Sequence, residues 1–296
     1  VPPDELVRRW STGDGVARAR DVLERLAKGT ALDGLGLATV DGLVDLRGLP
    51  AGGLDAHGGE VVGADLSHAW FAHAHLTGVR WRRCRFDRAN LSAAVLVGGG
   101  LTECTMRRAD LREAVVAGGI WSSVHLAGIT SNHLSADHTT FTGTTFPALR
   151  HVEFTACAFV DCRFTGRLAE VRFLGRGQPA PMLLRDVTFA SSDFRYAEFD
   201  GMDFDNVEFP DDGALIVVPR SFKAVAERAG MISLRRRDDV GKQLRRFLSE
   251  HSLRPGLSAT AGWAVSRRDL APDVAELAAS TLHEAQQQLR AEGVIP

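Results

Sequence analysis

Ala64-Asp65-Leu66-Ser67-His68, Ala69-Trp70-Phe71-Ala72-His73, Ala74-His75-Leu76-Thr77-Gly78 and Val79-Arg80-Trp81-Arg82-Arg83 are four consecutive variants of one five-residue phrase. Up to Phe146 a large apolar residue returns at every fifth position: Leu66, Phe71, Leu76, Trp81, Phe86, Leu91, Leu96, Leu101, Met106, Leu111, Val116, Trp121, Leu126, Phe141 and Phe146, with only Ser131 and Ala136 departing. Two residues before each stands something small or slim, such as Ala64, Ala69, Ala74, Val79, Cys84 and Ala89. A helix places apolar residues about 3.6 apart and a strand about 2.0 apart. A period of five fits neither and calls for a repeat architecture built from a shorter unit.

Ala64-Asp65-Leu66, Ala89-Asn90-Leu91, Ala109-Asp110-Leu111 and the upstream Val44-Asp45-Leu46-Arg47-Gly48 resemble the A-(D/N)-L-x-x unit of the pentapeptide-repeat proteins. The resemblance covers roughly residues 44–210. It implies a mainly β solenoid, a right-handed quadrilateral β-helix in which four units close each turn and the central and minus-two residues point inward. It implies a shape more than a chemistry, because members share a coil and not a function. In fold the chain resembles the gyrase-binding, quinolone-resistance members.

Outward from the repeat, three segments are expected. Residues 1–35 form an N-terminal helical cap, with Val16, Ala19, Leu23, Leu26 and Ala27 as its apolar stripe. Residues 36–215 form the coil, of about eight turns and roughly 39 Å at the spacing of adjacent strands. Residues 216–296 form a helical subdomain with helices starting near Ser221, Asp239 and Pro272. An open solenoid end exposes backbone and core, so a covering element at each end is required. The register slips between Phe146 and Phe154, which predicts an outward bulge at Pro147 to His151. Phe164 to Phe189 spans a whole number of units, with Val171 and Phe173 off phase. The Gly/Pro-rich residues near 174–185 predict a projecting loop; in the gyrase-directed relatives such loops contribute to partner contact, and here a tolerated surface insertion is an equal alternative.

Composition narrows the function classes. Lys+Arg number 35 against 37 Asp+Glu, so no global charge argues for nucleic acid or an anionic membrane. The first residues lack a signal-peptide pattern and no stretch nears the ~18 apolar residues of a membrane span, so a cytoplasmic location is expected. Cys84, Cys104, Cys157 and Cys162 all fall two before an apolar centre, where a thiol serves as a compact buried hydrophobe. His68, His73 and His75 fall on outward positions without a partnering carboxylate or thiolate. Nucleophile-elbow, HExxH and P-loop motifs are all missing from the sequence. No catalytic residue, metal ligand or cofactor is assigned.

Function therefore rests on outward residues. Between 186 and 212 nine acids face only Arg195, whereas the following helices are basic, from Arg220 through Arg235, Arg236 and Arg237 to Arg246. The acidic end suggests carboxylates standing where duplex phosphates would sit, with Asp193, Glu198, Asp200, Asp203 and Asp205, together with Arg176 and Gln178 in the projecting loop, as candidate partner-binding residues. Whole-length mimicry by charge fails on magnitude: a duplex of that length carries ~23 phosphates, and residues 61–210 hold fifteen basic and sixteen acidic side chains. The bland alternative is that the basic helices dock on the acidic coil. The sequence thus points to a non-enzymatic protein that acts on a protein partner, with no direct nucleic-acid or membrane contact. Two classes of partner stand open. One is DNA gyrase or topoisomerase IV, protected or modulated in antibiotic resistance or self-immunity. The other is an unrelated target of a scaffold or regulatory adaptor that uses the C-terminal helices, which also offer a homodimer interface.

Overall fold

The computed structural model describes residues 3–175, 182–253 and 255–296. From Val44 to Phe209 the chain winds into a quadrilateral β-helix of about eight turns. Successive turns run parallel and in register twenty residues apart: Leu76 pairs with Leu96, Leu96 with Val116, and Val116 with Ala136. On the next face Trp81, Leu101, Trp121 and Phe141 follow one another in the same way. The faces centred on Leu66 and Phe71 are tied, in the early turns, by single bridges such as Asp65 to Arg85 and Trp70 to Asn90.

The five-residue phrase has a local cause. Where the residue before the centre is Asp or Asn it lends its side chain to the corner: Asp65 Oδ1 accepts from the Ser67 N–H at 2.9 Å, Asn90 Oδ1 from the Ser92 N–H at 2.9 Å, and Asp110 Oδ1 from the Arg112 N–H at 3.1 Å. Such a bond closes an Asx-type turn. Two residues past the centre the backbone swings to positive φ, 61° at His68, 58° at His73, 71° at Gly78 and 52° at Arg83. That corner bends the chain through the square, and the third residue on, small and inward, begins the next side. Leu66, Phe71, Leu76 and Trp81 are all buried, as are Ala64, Ala69, Ala74 and Val79.

In the later turns phenylalanine occupies the centres and forms columns. Phe146, Phe164 and Phe189 stack with centroids 4.6 Å apart at each step, and Phe209 follows at 5.6 Å. Phe154, Phe173 and Phe199 stack at 5.2 and 4.5 Å. Edge-to-face contacts join the columns, for example Phe164 to Phe173.

Two turns depart from the twenty-residue rule, and both correct the sequence expectation. Ala136 pairs with Phe154 and Phe146 with Phe164, an offset of eighteen. Pro147 to His151 do not bulge outward: Leu149 is an inward centre and Val152 its successor's small inward residue, both buried. The turn is contracted because the apolar side chains reach the core sooner. In the following turn Phe164 stacks directly on Phe189, so those twenty-five residues make one turn and not five units. Its centres include Leu168, Phe173 and Leu184, all fully buried, so Phe173 is in phase after all. The extra length lies between Leu174 and Met182, where the expected loop falls largely outside the described residues.

Helix α1 (Pro3–Arg8) and helix α2 (Asp14–Ala27) close the first end. Ala19, Val22 and Leu26 join the core of the first coil, whereas Val16 is exposed, so the inward stripe is rotated from the expected one. Asp45 takes two bonds from Arg9 at 2.7 Å each and two from Arg47 at 2.9 Å each, and thereby pins the segment after α1 to the coil.

The last end is closed differently from the expectation of helices alone. Strand Gly262–Ser266 pairs antiparallel with the coil strand Glu198–Asp205 on one side and with Leu215–Val218 on the other. It covers the open backbone edge of the last turn. On its far side α3 (Phe222–Ser233), α4 (Asp239–Ser252) and α5 (Pro272–Ala291) enclose a second core around Trp263, which stacks on Phe222 at 4.6 Å. Asp238, not Asp239, caps α4 by accepting from the Gly241 N–H, and Ser221 lies in the left-handed region without capping α3.

Candidate partner-binding surface

At the acidic end each carboxylate has a distinct setting. Asp193 accepts from Arg167 at 3.2 Å and from Arg268 at 2.7 Å, with Arg195 at 3.7 Å. Partial burial opposes its charge, but these arginines prevail and bring its carboxyl below the ordinary range. Glu198 faces Arg172 at 3.6 Å and Asp205 faces Arg185 at 2.9 Å. Asp200 is buried on a strand paired on both sides and does not reach the outer surface. Asp203 is half-buried on an outward position. Arg176 and Gln178 lie outside the described residues.

Three of the nine acids, Asp193, Glu198 and Asp205, are thus paired with arginines that the 186–212 window does not contain. Turn-to-turn stacking brings in Arg167, Arg172 and Arg185, and the segment after the capping strand brings in Arg268. Docking of the basic helices on the acidic coil is not the arrangement seen. Arg228 pairs with Glu292, Arg235 with Glu284, Arg236 with Asp238 and Arg246 with Glu250, all within the C-terminal subdomain.

The middle of the coil offers the opposite surface. On the two faces centred on Leu96, Val116, Leu101 and Trp121, outward positions hold Val95, Val97, Gly100, Thr102, Val115, Ala117, Ile120 and Ser122, none of them charged; Glu103 stands at the corner beyond Thr102, and the other charged residues of these turns, Arg107, Arg108, Asp110, Arg112 and Glu113, belong to the other two sides. Ile120 is 61% exposed and Val115 38%. Glycines at 98 and 118 form the corner between the two faces. Sequence reasoning passed over this strip because single outward valines inside a repeat do not stand out until the twenty-residue stacking aligns them.

The cysteines are free and buried at inward positions. Burial pushes the Cys157 thiol up to about 12 and the Cys162 thiol up to about 11, which leaves them protonated and unreactive at neutral pH. His73 and His75 are exposed and His68 sits half-buried at a corner. Among the described residues no group of three or more His, Cys, Asp or Glu is placed to hold a metal ion, and no helix is long and apolar enough to cross a membrane.

The family model for pentapeptide repeats, eight copies long, matches residues 64–98. The chain is a pentapeptide-repeat protein. No curated protein matches it. Among solved structures it is similar to a trypsin-treated form of QnrB1, a plasmid-mediated fluoroquinolone resistance protein, at 17% identity over 52% of this chain and 84% of that one, with a TM-score of 0.29. It is also similar to HetL, a pentapeptide-repeat protein involved in heterocyst differentiation regulation from the cyanobacterium Nostoc sp. strain PCC 7120, at 14% identity over 68% of this chain and 98% of that one, with a TM-score of 0.29.

Proposed function

We propose that this pentapeptide-repeat protein is a non-enzymatic binding protein whose partner is another protein, engaged through the outer faces of the coil. The observation that carries this is the uncharged strip around Val115 and Ile120, which wraps the Gly98 and Gly118 corner and is held on both sides of it by backbone ladders. Depletion of charge with apolar side chains at the centre is the signature of an interface core. A type II topoisomerase engaged by carboxylates in place of DNA phosphates requires free acids, and Asp193, Glu198 and Asp205 each hold an arginine. Contact with a topoisomerase is therefore assigned to the strip. The experiment is a supercoiling assay with DNA gyrase, with and without a quinolone, comparing the native protein with Ile120→Glu. Inhibition or rescue that is lost in the variant supports the topoisomerase partner and its site together. Activity unchanged in Ile120→Glu refutes the strip as the contact, and inactivity of the native protein refutes gyrase as the partner.

A second reading, an adaptor or homodimer acting through the C-terminal helices, is favoured by Met231, Leu234 and Leu253, exposed by 58%, 63% and 71% at the ends of α3 and α4. Removal of the whole subdomain is a poor test because it strips the capping strand from the coil. Replacement of these three residues by serine leaves the cap in place. A change from dimer to monomer mass by light scattering supports this reading, and a monomeric native protein rules out the homodimer.

A further inference from the structure

Beside α1, on the face centred on Leu66, Phe86 and Met106, lies an open cleft of about 490 Å³. Its wall includes Leu6 on one side and five arginines, Arg47, Arg85, Arg88, Arg107 and Arg108, on the other. Two of these are already matched. Arg47 binds Asp45 through two 2.9 Å bonds, and Arg85 reaches Asp65 at 3.1 Å and Asp41 at 3.3 Å. The remaining acid, Asp87, spends its Oδ1 on the backbone N–H of Arg107 at 2.9 Å. Among the described residues Arg88, Arg107 and Arg108 have no carboxylate within ion-pair distance, and all three are exposed.

The coil fixes their spacing. Arg88 and Arg108 occupy the same corner in successive turns, with φ of 59° and 57°, so their backbones lie about one strand spacing apart, ~4.8 Å. Arg107 precedes Arg108 on the same side. Like charges rooted this close repel, and two guanidinium forks carried by adjacent turns suit an oxygen-rich anion that bridges both. The local potential is already visible at His68 on the cleft wall: burial, then the charge of Arg88, lowers its proton affinity.

We propose that this cleft is a binding site for a small polyphosphorylated ligand, its phosphoryl oxygens bridged by Arg88, Arg107 and Arg108. Three unmatched guanidiniums suit a group with several negative charges better than a single carboxylate, and the volume lies within the range of small-molecule sites. The chemistry is that of a pyrophosphate unit, whether free or carried by a nucleotide.

The test is calorimetric titration of the full chain with inorganic pyrophosphate, and separately with a nucleoside triphosphate, at fixed moderate ionic strength. The variants are Arg88→Gln with Arg108→Gln, and Arg83→Gln as the control. Arg83 occupies a positive-φ corner too, the one at which the side centred on Phe86 begins, and does not line the cleft. Expected is one saturable site, weakened at least about tenfold in the double variant and unchanged in the control. Tighter nucleotide than pyrophosphate binding assigns the nucleotide as source, and equal binding assigns the free polyphosphate. By NMR, the His68 imidazole titration should move upward on binding, as the anion offsets the Arg88 charge. Absence of saturable binding to either probe, or equal weakening by Arg83→Gln, overturns the proposal. Because all three arginines are exposed, an unfolded variant is not expected, and the circular dichroism spectrum checks this.

Discussion

Gly118 isolates the conformational demand of the corner from every packing effect. Its φ is +62°, and a Cβ built there would meet nothing within 4 Å. The first side-chain carbon at this position therefore clashes with no neighbour, and the loss on substitution comes chiefly from the backbone. The left-handed region is disfavoured for an L-residue by about 1–2 kcal/mol, toward the upper end for a β-branched one. Loss of glycine's freedom in the unfolded chain returns about 0.4–1 kcal/mol. Gly118→Val should thus destabilise by about 1 kcal/mol, while Gly118→Asn, whose side chain tolerates this region, should be near neutral. The adjacent Gly119→Ala supplies the contrast: its φ is ordinary, but its Cβ would stand 2.8 Å from the Gly99 carbonyl oxygen, so the loss is steric, about 1–3 kcal/mol. Urea unfolding at equilibrium, with unchanged slope, measures all three. A Gly118→Val protein as stable as the native one, or more stable than Gly118→Asn, refutes the role given to the corners.

Three further outcomes are expected. Phe164→Ala removes the middle ring of a fully buried column and should cost about 3–5 kcal/mol, with Phe164→Leu clearly milder, both read from urea midpoints. Burial, aided by the charge of Glu198, pushes the Asp269 carboxyl up to about 6 from 3.8 although it accepts the Tyr196 N–H at 2.9 Å. A raised acid favours folding below its unfolded value and loses that advantage as pH rises through 6, so the penalty applies at neutral pH. Asp269→Asn keeps the accepting oxygen and should raise stability at pH 7.5 by about 1–2 kcal/mol, discounted from ~3 for partial exposure, while flattening the melting-temperature profile between pH 4 and 6. Asp45 has the opposite sign: burial opposes its charge, but hydrogen bonds from Arg47 and Arg9 hold it far below the usual carboxylate range. Its stabilisation is present above pH ~4 and lost as pH falls further, so Asp45→Asn should destabilise by about 2–3 kcal/mol at pH 7, with the gap closing in acid; a gap constant down to pH 2 contradicts this.

The coil was legible because one local rule governs each side of it. A large inward centre, a positive-φ corner two residues after it and a small inward residue next are all set within five positions, so sequence alone locates Leu66 through Phe146 on the right faces. The contracted turn was not legible because the alternatives at Leu149 differ only in where apolar side chains find the core. A count of five-residue steps cannot distinguish a bulge from a shortened side. The capping strand Gly262–Ser266 was missed for a related reason. Gly-Trp-Ala-Val-Ser is too short to declare itself, and its stability comes from partners about 50 and 65 residues away in sequence. At the acidic end the pairing of Asp193, Glu198 and Asp205 was not legible because a window along the chain sees Arg195 but not Arg167, Arg172 or Arg185, which reach it through stacking, nor Arg268, which follows the capping strand.

That last difference bears on how a solenoid of this kind distributes its surfaces. Each turn touches only its neighbours, so stability and surface chemistry vary locally along the axis. The arginine cleft uses the early turns against α1, the uncharged strip uses the turns from Val95 to Ser123, and the compensated acids lie where the coil meets the C-terminal subdomain. Substitution of Arg88 and Arg108 leaves the backbone ladders of the strip unchanged, because corner side chains take no part in them. Ile120→Glu likewise leaves the ion pairs of Asp193 intact. Binding of a small anion and binding of a protein partner are therefore separable by single outward substitutions, and coupling between them requires a change transmitted through the buried columns. A variant of the cleft that also abolished partner binding, with stability unchanged, would show that α1 and the strip belong to one contiguous interface.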